Sequence, residues 1–310
     1  MEQETLDKIM HNLIANTTTG IPTGIENLDR RLGGGFQKGQ LYVLGGRPAM
    51  GKTIFACQAA LNAAIRENKK VIYYSLDMSK ELLIKEMLFN EAKVSGGFMT
   101  ELSADSVLES AEWRKLTEAK EKIAESKLYV DDTPAISADG IGMRLSGDIE
   151  TDYMDADLIV IDHLKFLNAT EDLEINARMT YMQKEEYIFK KLREIAGTYN
   201  VPILLLATIS MECEARGKRN GVYRPMLADL KKLPAMKEYA DVIIFLYRDQ
   251  YYYPDTELKG IAEFIVARNR IGTVGTDMCG WIPELTRFAN LESNFDVRTN
   301  GEGEAWKVKE

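Results

Sequence analysis

The stretch Gly46-Arg47-Pro48-Ala49-Met50-Gly51-Lys52-Thr53 fits G-x-x-x-x-G-K-[ST] at every constrained position. It follows Leu41 to Gly45 (LYVLG), a short apolar run ending in glycine that reads as a buried strand, and it precedes residues 52–67, which read as a helix. That strand–turn–helix setting is the one the pattern needs, and it makes a chance match a poor explanation. Glycines let successive backbone N–H groups curl round phosphate oxygens, and the helix N-terminus adds the positive end of its dipole. Lys52 would set a positive charge on the β- and γ-phosphates, and the Thr53 hydroxyl would ligate Mg²⁺. Gly46 through Thr53 are therefore expected to hold a nucleoside triphosphate, with ATP and Mg²⁺ as the cofactors.

A triphosphate site needs further carboxylates. Asp162 ends the apolar run Leu158 to Ile161 (LIVI), where an aspartate can complete the metal shell. Asp77 follows a second apolar run, Lys70 to Leu76 (KVIYYSL). The carboxyl ends of parallel strands converge on the ligand crevice, so Asp77 can face the γ-phosphate and accept a proton from water. Its competing reading is an N-cap for the helix starting near Ser79, a task Ser79 can perform itself.

The rest of the chain alternates strands and helices. Helices are expected over Ser79 to Ala92, Asp105 to Glu125, Ala138 to Ile149 and, as one long polar helix, residues 176–199. Strands are expected at Leu128 to Val130, Ile203 to Leu206, Val242 to Leu246 and Ala262 to Ala267. Such alternation predicts an α/β domain around a mostly parallel central sheet with helices on both faces. No repeat or linker divides it, so one domain is expected over 20–299. Thr5 to Ala15 carries apolar residues at helical spacing (Leu6, Ile9, Met10, Leu13, Ile14) and reads as a separate amphipathic helix within 1–19. It can pack on its own domain or on a neighbouring subunit. A polar tail over 300–310 is expected to be disordered.

Composition removes several classes. No apolar run reaches the ~18 residues of a membrane span, and the first residues lack the order of a secretory signal. Three widely spaced cysteines, Cys57, Cys213 and Cys279, show no metal spacing and fit a reduced cytoplasmic protein. The 39 basic residues against 48 acidic, a net charge of −9, argue against a protein that coats DNA through a broad basic surface. Local basic loops lining a channel remain compatible with that balance.

The blocks GIPTGIENLD, GGRPAMGKT, YYSLDMSKELL, DLIVIDHL, NVPILLLATIS, YADVIIFLYRDQYY and GIAEFIVARNRIG occur in that order. Together they resemble the C-terminal ATPase domain of DnaB-type replicative helicases, over about Gly20 to Gly275. The resemblance implies a RecA-like P-loop NTPase fold and a homo-oligomeric, hexameric ring that moves 5′ to 3′ on single-stranded DNA. It also implies a primase or helicase-loader partner and a bacterial or phage-infected cell. By position, Lys52, Thr53 and Asp162 match the family's phosphate and metal residues. Arg268 and Arg270 match a basic pair that reaches the ATP of the next subunit, Arg270 being the better candidate for an arginine finger. Asp229 to Glu238 (DLKKLPAMKE) matches the DNA-contacting loop, with Lys231, Lys232 and Lys237 placed to meet phosphates. The helix over Thr5 to Ala15 resembles the linker that clasps a neighbouring subunit. Little sequence precedes the match, so the family's primase-binding N-terminal domain is expected to be missing, as in a compact, phage-like version or a trimmed chain.

The chain also departs from that family. Asp77 stands where the family has its catalytic glutamate, Thr208 where it has the glutamine that senses the γ-phosphate, and Met211 where it has an arginine. Arg268 replaces a lysine, and Leu233-Pro234 replaces Ser-Gly, so that Pro234 removes a backbone donor from the DNA loop. Two functions therefore remain: an ATP-driven helicase motor, and a helicase-fold ATP-binding regulatory or assembly protein that hydrolyses slowly.

Overall fold

The structure, a computed structural model, describes residues 20–98, 108, 110–231 and 233–292. The expected helix over Thr5 to Ala15, Lys232 and the polar tail lie outside the described residues. Among the described residues nine strands form one sheet in the order β3-β2-β4-β5-β1-β6-β7-β8-β9. They span Leu41–Gly46 (β1), Val71–Ser75 (β2), Leu128–Asp131 (β3), Leu158–Asp162 (β4), Ile203–Thr208 (β5), Val242–Tyr247 (β6), Ile261–Asn269 (β7), Gly275–Ile282 (β8) and Arg287–Ala289 (β9).

From β3 to β6 every pairing is parallel. From β6 to β9 every pairing is antiparallel. The parallel part follows from residue chemistry: β1, β2, β4 and β6 are buried at every position. Alternate side chains of one strand enter two different cores. Tyr42 and Leu44 pack on one face with helices α1 (Glu26–Arg31), α2 (Lys52–Leu61) and α3 (Lys80–Ala92). Leu41 and Val43 pack on the other with α5 (Ala138–Ser146), α7 (Tyr181–Tyr199) and α9 (Pro234–Tyr239). Helix α4 (Ala111–Glu125) lies against α3, joined through Ala92, Val94 and Ala119.

The antiparallel edge, β8 and β9, was not among the expected strands. Gly275, Thr276, Asp277 and Gly280 break the apolar run of β8, and β9 has only three residues. The single helix expected over 176–199 is two, α6 (Leu173–Arg178) and α7. Met179 is the C-cap of α6, and Thr180 starts α7 through a capping box with Gln183. The expected 52–67 helix keeps its length but changes character, passing from α2 into a π turn over Asn62–Arg66. Helix α8 (Glu212–Asn220) also went unforeseen; its polar sequence carries almost no apolar stripe.

Candidate nucleotide site

The turn after β1 is built by glycine. Gly51 has φ +99°, and a Cβ there would meet the Phe288 ring at 2.9 Å, so only glycine satisfies both conditions. No side chain caps α2, which leaves its first N–H groups facing the turn with the positive end of the helix. The turn is braced from the antiparallel edge. Arg248, just past β6, donates to the Ala49 carbonyl and stacks over Trp281 of β8 at 4.4 Å, and Trp281 packs in turn on Phe288 of β9.

Lys52 bridges its own turn, its Nζ donating to the carbonyls of Gly46 and Arg47 at 3.1 Å each. Burial pulls the ammonium pKa down to about 8, while Asp162 and Asp77 hold it up and Arg47 adds to the fall. Asp162 ends β4 and is buried. The Tyr73 hydroxyl donates to its Oδ2 at 3.1 Å, and the Thr53 hydroxyl also bonds to it. Burial raises the Asp162 carboxyl above its ordinary range, and those two hydrogen bonds oppose the rise. The peptide bond between Asp162 and His163 is cis.

Asp77 is exposed, two residues past β2. Ser79 caps α3 by accepting the Leu82 N–H at 3.4 Å, so the competing cap role for Asp77 falls away. Thr208 ends β5, where its hydroxyl meets His163 Nε2 at 2.9 Å. Burial, reinforced by nearby Lys52, pushes the His163 ring down to about 4, so it is neutral.

These groups share one cleft of about 430 Å³, lined by Pro48, Ala49, Gly51, Lys52, Thr53, Asp77, Asp162 and Thr208. His163, Lys165 and Phe166 line it too and were not foreseen as site residues. For His163 the signal was present in the motif IDHL, a histidine set directly on the tip of a buried strand. Three residues of the turn contribute only backbone or nothing to the cleft. Gly46 lies beneath it, Met50 is buried in the core, and Arg47 points away. The Arg47 guanidinium bonds Glu214 of α8 at 2.7 Å and the Ile209 carbonyl at 2.9 Å. From α8, Arg216 pairs with buried Asp229. A line of ion pairs thus joins the rim of the cleft to the start of the lysine segment.

That segment is not the open loop expected. A 3-10 turn over Leu227–Leu230 leads to α9, whose first residue is Pro234. Proline fits the first helical position, where an N–H has no partner within the helix, so it starts a helix here and removes no needed donor. Lys231 is exposed, and Lys237 is half-buried in the last turn of α9.

Arg268 and Arg270 lie at the other end of the sheet. Arg268 pairs in register with Ile243 near the start of β6, whereas the turn borders the end of β6 through Gly45 and Phe245. Arg270 approaches Asp241 at 3.4 Å and donates to the Glu238 carbonyl at 2.8 Å. Burial lowers the Arg268 pKa, and Arg270 lowers it further. Neither arginine reaches the cleft of its own chain.

The mostly parallel sheet, with this cleft at its carboxyl ends, defines a P-loop protein of RecA-like fold. A family model described as DnaB-like helicase C terminal domain matches residues 20–290, and the chain belongs to that family. It is 34% identical to the replicative DNA helicase DnaB of Geobacillus stearothermophilus over 295 residues. It is also 34% identical to the replicative DNA helicase DnaC of Bacillus subtilis (strain 168). Each alignment covers 94% of this chain and 62% of the relative's length. Among solved structures, an isolated ATPase domain superposes with TM-score 0.82 at 28% identity, covering 94% of this chain and 99% of that one. A DnaB-like replicative helicase, solved in a study of its interactions with primase, superposes with TM-score 0.80 at 28% identity, over 93% of this chain and 66% of that chain. The RadB recombinase, at 18% identity and TM-score 0.52, shares the fold.

Proposed function

We propose that this chain is the ATP-hydrolysing motor domain of a replicative DNA helicase, working as a homo-oligomeric, hexameric ring on single-stranded DNA. The observation that carries the reading is the convergence of Lys52, Thr53, Asp77, Asp162 and Thr208 on one cleft at the carboxyl ends of parallel strands. Gly46 to Thr53 cradle the triphosphate, and Lys52 exchanges its two backbone carbonyls for phosphate oxygens. The oxygens of Thr53 and Asp162 suit Mg²⁺, a hard cation that keeps phosphate and water among its ligands. Bound there, Mg²⁺ would neutralise charge developing on the transferred phosphoryl group. Asp77 accepts a proton from water as the water oxygen attacks the γ-phosphorus and the bond to the β-phosphate oxygen breaks, releasing ADP and phosphate. Arg270, with Arg268 beside it, acts on the ATP of a neighbouring subunit.

In this reading DNA contact falls to Lys231, Lys232 and Lys237, movement runs 5′ to 3′, and a primase or helicase loader is the partner. The ring works in the cytoplasm of a bacterial or phage-infected cell. Among the described residues no helix is long and apolar enough to cross a membrane.

A second reading, a regulatory protein that binds ATP and hydrolyses it slowly, draws support from Asp77 and Thr208, both shorter than the residues the family carries there. The rate of ATP hydrolysis with and without single-stranded DNA separates the two. A motor turns over ATP, accelerates on DNA and loses at least about a hundredfold in Lys52→Ala. Tight ATP binding with no DNA-stimulated, Lys52-dependent turnover would replace the motor with the regulatory protein.

A further inference from the structure

Thr208 is shorter than a glutamine and sits on an exposed strand end, so by itself its hydroxyl could rotate freely and serve as donor or acceptor. His163 removes that freedom. The backbone N–H of Lys165 donates to His163 Nδ1 at 3.1 Å, so Nδ1 carries a lone pair and no proton. An imidazole with a bare Nδ1 is neutral only with its proton on Nε2. A doubly protonated ring would turn an N–H of its own against the Lys165 N–H. Nε2 lies 2.9 Å from Thr208 Oγ1, so the ring donates and the hydroxyl accepts. With an acceptor lone pair occupied by His163, the Thr208 proton has no protein acceptor among the described residues, and the side chain lines the cleft beside Lys52, Asp77 and Asp162.

We infer that His163 is a positioning residue, which fixes Thr208 as a hydrogen-bond donor to an anionic oxygen of the terminal phosphate. The inference rests on the nucleotide reading of the same cleft. It also divides the work within the cleft. Attacking water gives up its proton and is served by an acceptor, which Asp77 supplies; a hydroxyl locked as donor suits a phosphate oxygen that gains charge as the reaction proceeds. A contact that strengthens with that charge shows in kcat more than in KM.

Steady-state ATP hydrolysis by the full chain provides the test. His163→Phe removes the donor, and Thr208→Val removes the hydroxyl at equal size. Each is expected to lower kcat about tenfold or more while KM for ATP moves less than about threefold. His163→Gln, which can return an N–H donor near the Nε2 position, and Thr208→Ser, which keeps the hydroxyl, should each recover most of that loss. The double variant His163→Phe/Thr208→Val should be no slower than the worse single variant, because both remove one contact. Nitrogen NMR of the histidine ring, with and without a non-hydrolysable ATP analogue, should find the proton on Nε2 in both states. Unchanged kcat in His163→Phe, fully additive losses, or a proton on Nδ1 would each overturn the inference while Lys52-dependent turnover leaves the nucleotide reading standing. Turnover that survives Lys52→Ala would remove both.

Discussion

The two ends of the parallel strands carry different inventories. At the carboxyl ends, four strands deliver two lysines, two aspartates and two hydroxyls into one cleft. At the amino ends, Asp241 gathers Arg193 at 2.9 Å and Arg270 at 3.4 Å and accepts the Leu41 N–H at 2.9 Å. The first end assembles its groups within a single chain. The second holds two arginines that cannot meet their own cleft, because the length of β6 lies between them. In the proposed ring, the amino end of one copy would meet the carboxyl end of another, a head-to-tail contact that generates rings when its rotation closes. Arg270 is half-exposed, whereas Asp241 is buried and keeps Arg193 and the Leu41 N–H as partners when Arg270 leaves it.

Subunit mixing strains this contrast most. Arg270→Ala should lower turnover about a thousandfold with ATP binding largely retained. Mixing Arg270→Ala chains with Lys52→Ala chains should restore measurable hydrolysis, since some contacts then join an intact cleft to an intact arginine. Failure of the mixture to exceed its inactive components would place the arginine outside any neighbour's cleft. A smaller effect belongs to the cleft alone. Asp77→Asn should cost about a hundredfold in kcat, the lower end of what a positioned proton acceptor supplies, and mixing should not rescue it beyond the remaining intact sites. If Asp77→Asn leaves kcat as it was, another group takes the proton. The least effect concerns neither end. Removing Lys231 should reduce the salt dependence of single-stranded DNA binding by about 0.7 in logarithmic slope. Half-buried Lys237 should change it less, and equal slopes for the two variants would mean that the burial of Lys237 does not persist on DNA.

Much of the cleft was legible because each of its parts sits at a punctuation mark. Lys52 and Thr53 follow a glycine turn, and Asp162 ends an apolar run, so sequence position dictates spatial position, whereas Thr208 was reached only through the family resemblance. His163 escaped because a histidine next to a strand tip announces its role only once Thr208, 45 residues away in sequence, is known to lie 2.9 Å from it. Arg248 escaped for the same reason, its bond to Ala49 joining residues 199 positions apart. The parallel strands were legible as continuous apolar runs, whereas β8 and β9 rely on pairing with β7 and on each other, a stabilisation no local pattern records. The break at Thr180 lay in the sequence as T-x-x-Q, and the surrounding helical composition hid it.

Among the described residues the sheet finishes in its two shortest strands, four residues in β3 on one flank and three in β9 on the other. A flank so brief offers little backbone for a second chain to add itself sideways, the usual route to uncontrolled stacking. Growth by lateral zippering is discouraged on both flanks of the described sheet, and contacts between side chains can count subunits in a way that an open ribbon of peptide groups does not.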